Sequence, residues 1–443
     1  MRQFRLLPAS LALGLALIAS TVAQPLRALT LLRDPDIEYA LGQLAAPILQ
    51  AAGLNPGRTS VLVIDDRTLN AFVVDRDTIF IHSGLLLKMD TPQMLQSVLA
   101  HEAAHIANGH LVRRPQNMRN ARTAAGIGLA LAAAAAASGN GAAAAGIAAG
   151  SQGTAARVFF AHTRAEESSA DSASVRYMVR AGRDPSGAVA VMDIFRGQEA
   201  LSVARQDPYA RTHPMSADRV RVLKRQTAAY EGKTPPSNAD LYWFARAKGK
   251  LSAFQRSPKW TIDRAGESGF ADVGQMRAAI AWHRQSNLQN AIAAIDSAIA
   301  ARPSDPFYHE LRGQILMENR QFAAATNAYA AAVNLAPDHP LVLGSYGRAL
   351  VAGGQYAQAL QVLEKARARD GRDARVIRDL AVAYAKSGQN GMASLVTAER
   401  YAMTGRLEDA KIHATRASGL LPNGSGGWQR AQDVLFAAQS ARR

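Results

Sequence analysis

Apolar positions along the first hundred residues change period twice. Ile37, Leu41, Leu44 and Ile48 recur every three or four positions, which predicts a helix over 36–56. Pro47 interrupts it, and the turn Gly53-Leu-Asn-Pro56 ends it. "TSVLVIDD", "LNAFVVD" and "TIFIHSGLL" then read as β-rich runs separated by polar turns. Helical spacing returns at Thr91, with Pro92 suited to the first helical position. The pattern thus predicts a small sheet followed by a helix. Residues 123–156 are 34 uncharged positions, nearly all Ala and Gly, divided by Ser138-Gly-Asn-Gly141. They read either as a lid or membrane-touching hairpin, or as two closely packed small-residue helices. Neither arm reaches the ~20 apolar residues that a membrane crossing needs.

Beyond the linker-like "YEGKTPPSNAD" (230–240) the pattern repeats. "NLQNA" (287–291), "QFAAA" (321–325) and "QYAQA" (355–359) align with a period of 34 residues. Ala291, Ala325 and Ala359 keep that period, as do Pro303, Pro337 and Gly371, and Gly313 with Gly347. A weaker copy is "RLEDA" at 406–410. A 34-residue helix-turn-helix period is that of tetratricopeptide repeats, whose units stack into a superhelix with a concave groove. The expected layout is a domain over 24–231, a linker with a first solenoid helix over 232–269, and an all-α repeat domain over 270–440.

Composition narrows the chemistry. The 443 residues include no cysteine, so a metal site must rest on His and carboxylates. The start of the chain has Arg2 and Arg5 ahead of an apolar run from Leu6 to Ala19 and small residues ending at Ala23. That is the pattern of a secretory signal peptide over 1–23, and it points to a bacterial periplasm. The net charge of +16 suits anionic partners, membrane-surface headgroups among them. The basic residues are scattered and an export signal precedes them, so nucleic acid is not expected.

The candidate chemistry lies in "VLAHEAAHIANGHLVRR" (98–114). On a helix, His101 and His105 leave one face a turn apart and can share a tetrahedral Zn²⁺, with Glu102 beside them to reach a water. Two histidines leave the site short of a ligand. "FFAHTRAEESSADSASVRYM" (159–178) offers Glu166 and Glu167, with Asp171 four residues beyond Glu167 on the same helical face. A glutamate there can bind the metal while an aspartate one turn on orients a ligand histidine. His110, five residues past His105, should fall away from the ligand face and serve structure, and His162 is a second nearby histidine without an assigned role. A metzincin pattern is excluded, because it needs Gly and His where Asn108 and Leu111 stand.

His101-Glu102-x-x-His105 followed by Arg164-x-x-Glu167-x-x-Ala170-Asp171 resembles the gluzincin zinc endopeptidases of the HtpX and CaaX prenyl protease type. "NAFVVDRDTIFIHSGLL" (70–86) and "THPMSADRV" (212–220) are similar to that family's Asn-Ala-Phe strand and its later His-Pro element. The signal peptide and repeats narrow the likeness to a periplasmic branch that joins protease and tetratricopeptide domains. The resemblance implies an α+β gluzincin-type domain, mostly helical with a small sheet, ahead of the all-α solenoid. It implies one Zn²⁺ per chain on His101, His105 and Glu167, with Glu102 as general base and Asp171 behind the ligands. Arg219 or His213 is expected at the oxyanion, and His213 is alternatively a fourth ligand that latches the site. Asn70, Ala71 and Phe72 would form an edge for extended substrate. The implied partners are unfolded or misassembled outer-membrane proteins, with the outer-membrane assembly machinery on the repeat groove. A chaperone or assembly factor whose protease is normally latent is the other reading.

Overall fold

The computed structural model describes residues 30–111, 163–201 and 205–440; the expected signal peptide and the Ala/Gly-rich stretch 123–156 lie outside the described residues. The chain enters through a two-residue strand, β1 (Leu31–Leu32), too short to register as a sequence pattern. Helix α1 (Pro35–Ala51) follows, capped by the Asp34 carboxylate, which accepts from the amides of Asp36 and Ile37. It is shorter than the expected 36–56. Strands β2 (Ser60–Ile64), β3 (Ala71–Val73) and β4 (Thr78–His82) complete a sheet of order β1-β2-β4-β3. The β2–β4 pair is parallel, both outer pairs are antiparallel, and β3 is therefore an edge.

Helix α2 (Ser83–Lys88) leads to α3 (Pro92–Ala107), which bears the His-Glu-x-x-His residues and is buried nearly all round. Residues 163–180 form α4, followed by α5 (Gly187–Ile194), α6 (Pro208–Thr212) and α7 (Ala217–Thr227). One core joins α1, the sheet and α3 through Leu41, Leu44, Val63, Ile79, Ile81, Leu95 and Leu99.

Helix α8 (Asn238–Gln255) opens with a reciprocal capping box between Ser237 and Asp240. Its residues serve two cores: Phe244, Ala247 and Leu251 pack with α1 and the sheet, and Tyr242 and Ala253 pack with the repeats. After the short α9 (Pro258–Asp263), ten helices build the solenoid: α10 (Ala271–Arg284), α11 (Leu288–Ala301), α12 (Pro306–Glu318), α13 (Phe322–Leu335), α14 (Pro340–Ala352), α15 (Tyr356–Arg369), α16 (Ala374–Lys386), α17 (Asn390–Met403), α18 (Leu407–Leu420) and α19 (Gly426–Ser440). Leu288, Phe322, Tyr356 and Asn390 start alternate helices (α11, α13, α15 and α17) at the 34-residue period. The "RLEDA" copy instead opens α18, half a period later. The periodic glycines have a packing cause. A Cβ on Gly313 would come within 2.7 Å of the Tyr329 ring, and one on Gly347 within 2.4 Å of Leu363.

Charged side chains tie the entry segment to the repeats. Arg246, fully buried, pairs with Asp36 at 2.7 Å and donates to Asp305 at 2.9 Å. Lys250 reaches Asp34 at 2.9 Å, and Arg33 reaches Asp370 at 2.6 Å. Such buried pairs add little net stability, because desolvation offsets their attraction, yet losing one partner is costly. They therefore hold the two parts in one arrangement.

Candidate metal centre

Helix α3 starts where Thr91 accepts from the Met94 amide and Pro92 has no amide proton to satisfy. His101, Glu102 and His105 lie on its buried side. Helix α4 approaches closely because small residues meet: Ala100 and Ala104 of α3 pack with Ala170 and Ala173 of α4. That contact brings Glu167 and Asp171, one turn apart, to the two histidines.

His213, just past α6, completes the cluster. Donor atoms of His101, His105, Glu167 and His213 lie within 4.8 Å of one another, and all four residues are buried. His101 Nε2 is 3.1 Å from His105 Nε2, 3.3 Å from His213 Nδ1 and 3.3 Å from Glu167 Oε2. His105 Nε2 is 3.3 Å from Glu167 Oε1, and His213 Nδ1 is 3.2 Å from Glu167 Oε2. A tetrahedron with ligand bonds of about 2.0–2.1 Å has edges of about 3.3–3.4 Å, so the spacing fits a metal ion of that size. Three carboxylates are buried here: Glu167 and Asp171 meet the Arg219 guanidinium, and Glu102 meets His213.

Neighbours orient each ring. His101 turns Nδ1 to Asp171 at 3.1 Å, leaving Nε2 for the cluster. Burial opposes charge on His101, but hydrogen bonds to Asp171 and Glu167 outweigh it and raise its pKa to about 10. Burial pushes His105 down to about 3. Burial would raise both carboxylates, but the His213 charge and the His101 and His105 contacts hold Glu167 well below its ordinary range. His101 and Arg219 likewise hold Asp171 at about 2.

His110 departs from its expected place. Helix α3 ends at Ala107, and Gly109 turns the chain through φ +69°. The turn returns His110 to stand with its Nδ1 3.0 Å from His105 Nδ1. It supports a ligand ring, and the Asn108-Gly109 helix stop was the available signal. The Arg219 guanidinium makes a two-point contact with Asp171 at 2.8 and 2.9 Å, reaches Glu167 at 3.1 Å and donates to the Pro214 carbonyl. Its donors are directed to those acceptors. Tyr209, unremarked in the sequence, packs its ring 4.5 Å from that of His213.

The expected substrate edge is present and partly covered. Asn70 O accepts from the His82 amide, so the neighbouring carbonyls of Leu69 and Ala71 point to the open side of β3. Leu69 O accepts from the Tyr209 amide at 3.0 Å, and Ala71 O lies 3.2 Å from His213 Nε2. The same Nε2 is 3.4 Å from Glu102 Oε1. The 209–213 segment thus touches the donor cluster, Glu102 and the strand edge at once. His162 lies outside the described residues.

Known proteins match in both halves. The profile of peptidase family M48 matches residues 32–227, and that of the tetratricopeptide repeat matches 316–378. The beta-barrel assembly-enhancing protease of Escherichia coli K12 is 24% identical over 401 residues, covering 89% of this chain and 81% of that protein. Its Yersinia pestis counterpart is 23% identical over 405 residues, covering 89% and 80%. Among solved structures, the tetratricopeptide protein YrrB is 18% identical, with a TM-score of 0.32, over 43% of this chain and 96% of that one. That last likeness is too slight to support an argument. The two profile matches and the long relatives agree with the buried donor set: the chain is a metalloprotease whose residues 32–227 match peptidase family M48, with tetratricopeptide repeats beyond them.

Proposed function

We infer that this chain is a zinc endopeptidase of the periplasm that hydrolyses unfolded or misassembled outer-membrane proteins, with its repeats recruiting substrates or assembly partners. The observation that carries the reading is the buried set of four donor side chains whose ligand atoms lie within 4.8 Å of one another. Zn²⁺ on His101, His105 and Glu167 would supply Lewis acidity to the scissile carbonyl and acidify a water. Glu102 is the one carboxylate on the face of α3 next to the ligands, and it takes the water proton and returns it to the leaving amine. Asp171 keeps the Nδ1 proton on His101, and Arg219 holds Asp171 in place. The relatives bear a name that ties them to β-barrel assembly, which supports outer-membrane proteins as the substrate class. No helix among the described residues is long and apolar enough to cross a membrane.

The His213 contacts favour a latent resting state. Its Nδ1 stands where a fourth ligand belongs, and its Nε2 donates to Ala71 O at the strand edge where extended substrate would add. A partner or substrate that favours displacement of the 209–213 segment would free both positions, within the limit of its differential affinity for the two states.

Purified mature protein tests this through zinc analysis and casein cleavage. Glu102→Gln should keep zinc and lose about 10²–10⁴-fold in rate, the usual share of a general base. His213→Ala should keep zinc and cleave casein and itself faster. A slower His213→Ala enzyme with full zinc would end the latch and make His213 a substrate contact.

A further inference from the structure

Three buried guanidiniums can be compared. Arg219 has Asp171 at 2.8 Å, and Arg246 has Asp36 at 2.7 Å. Arg277 is only 6% exposed, yet it forms no ion pair among the described residues. Its one hydrogen bond runs to the Ala265 carbonyl at 3.3 Å, and its Nε has no partner. Burial lowers its pKa, opposed only by the more distant Glu267, which is itself paired with Arg264 at 3.7 Å. A desolvated cation without a counter-charge is expensive to keep unless an anion visits it.

Arg277 lines a groove of about 870 Å³ that lies away from the metal centre, between the start of α3 and helices α8, α9 and α10. Leu241, Phe244, Trp260 and Phe270 form its apolar surface, and Leu241 is exposed. Lys248, the other cation there, is already committed to the Met89 carbonyl and to Asp90 at 3.6 Å. Gln93, Asn238 and Ser252 add uncharged polar groups around the rim. Asp90 and Glu267 line the groove as well, paired with Lys248 and Arg264, so the charge of Arg277 is left over beside an aromatic surface and fits a ligand with a carboxylate next to a large apolar group. Polar groups around the rest of the groove fit a ligand that also carries amides.

We propose that this groove binds the C-terminal end of an unfolded polypeptide, with its α-carboxylate on Arg277 and a large apolar last side chain against Trp260 and Phe270. An α-carboxylate is attached to its own residue's side chain, so charge and apolar bulk arrive together. A fatty acid would supply the charge and the apolar chain but would leave the amide-matching groups unpaired. The proposal rests on the reading of the chain as a handler of unfolded polypeptides, and it makes the groove a docking site that delivers the substrate's end.

Fluorescence anisotropy on the full-length Glu102→Gln protein decides it, because nothing is cut during the measurement. The probe is a labelled decapeptide of polar residues ending in Phe, supplied as the free acid and as the C-terminal amide. The free acid should bind at least tenfold tighter. Arg277→Met should erase that difference and melt no lower than its parent, since no ion pair is lost. Trp260→Ala should weaken the free acid several-fold, which keeps a variant arm should Arg277→Met fail to fold. Equal binding of acid and amide in the parent overturns the proposal. So does a preference that survives Arg277→Met, or tight laurate binding that the peptide does not displace. Casein cleavage by the wild type is scored separately, so loss of the protease reading is distinguishable from loss of this site.

Discussion

Two buried polar clusters lie in this molecule, and they are built on opposite logic. At the junction between the entry segment and the repeats, the cations Arg246 and Lys250 form ion pairs with three carboxylates, those of Asp34, Asp36 and Asp305. At the metal centre, three imidazoles and Glu167 turn ring nitrogens and carboxylate oxygens toward one another at 3.1–3.3 Å. The first arrangement sets cations of the chain directly against its anions. The second makes chemical sense around a cation. Burial and charge content therefore do not distinguish structural from functional clusters; which groups face one another does.

The comparison breaks most sharply at Glu167. Glu167→Ala should release the metal and abolish cleavage, a loss of at least about 10³-fold, while the protein stays folded. Elemental analysis beside the casein assay checks it, and full zinc in that variant would turn attention to Glu166. The junction should respond in the other currency. Asp36→Ala leaves the buried Arg246 and Lys250 short of a partner and should cost about 3–5 kcal/mol in stability, read by denaturant melting. Metal content should be unchanged in that variant; zinc loss would mean that the clusters are not independent.

Acid gives the smallest and most specific contrast. Asp171 is depressed to about 2 in the folded chain, below its ordinary 3.8. Its contribution is complete above about pH 4 and is lost as pH falls through about 2, worth about 2 kcal/mol in total. Asp171→Asn should therefore flatten the stability profile between those limits and leave it parallel to wild type above them. An unchanged acid limb would show that the Arg219 contact contributes nothing to folding.

Much of this was readable from residue spacing. His101 and His105 at four apart, Glu167 and Asp171 at four apart, and the 34-residue period each describe one local element, whose geometry follows from backbone periodicity. The two helices of the site and the repeat solenoid follow from that directly. His110 was misplaced because helix spacing was extended past Gly109, where a positive φ reverses the chain. The two-residue β1 carries no periodic signal at all.

What tertiary structure alone decided concerns groups on segments without a period, and groups whose partner lies far along the chain. Resemblance to a family marked Arg219 as functional, but only the packing of α7 on α4 commits its guanidinium to Asp171, 48 residues away. His213 was recognisable as a candidate ligand. That its Nδ1 faces the cluster while its Nε2 holds Ala71 O depends on how the 209–213 segment lies along β3. The lone charge of Arg277 was invisible for the same reason: whether a cation is paired is a property of what surrounds it. Sequence by itself determined which side chains each element could present, since backbone repeat geometry is local. Packing determined which of them meet, because hydrogen bonds and charge compensation act between surfaces that only the folded chain brings within reach.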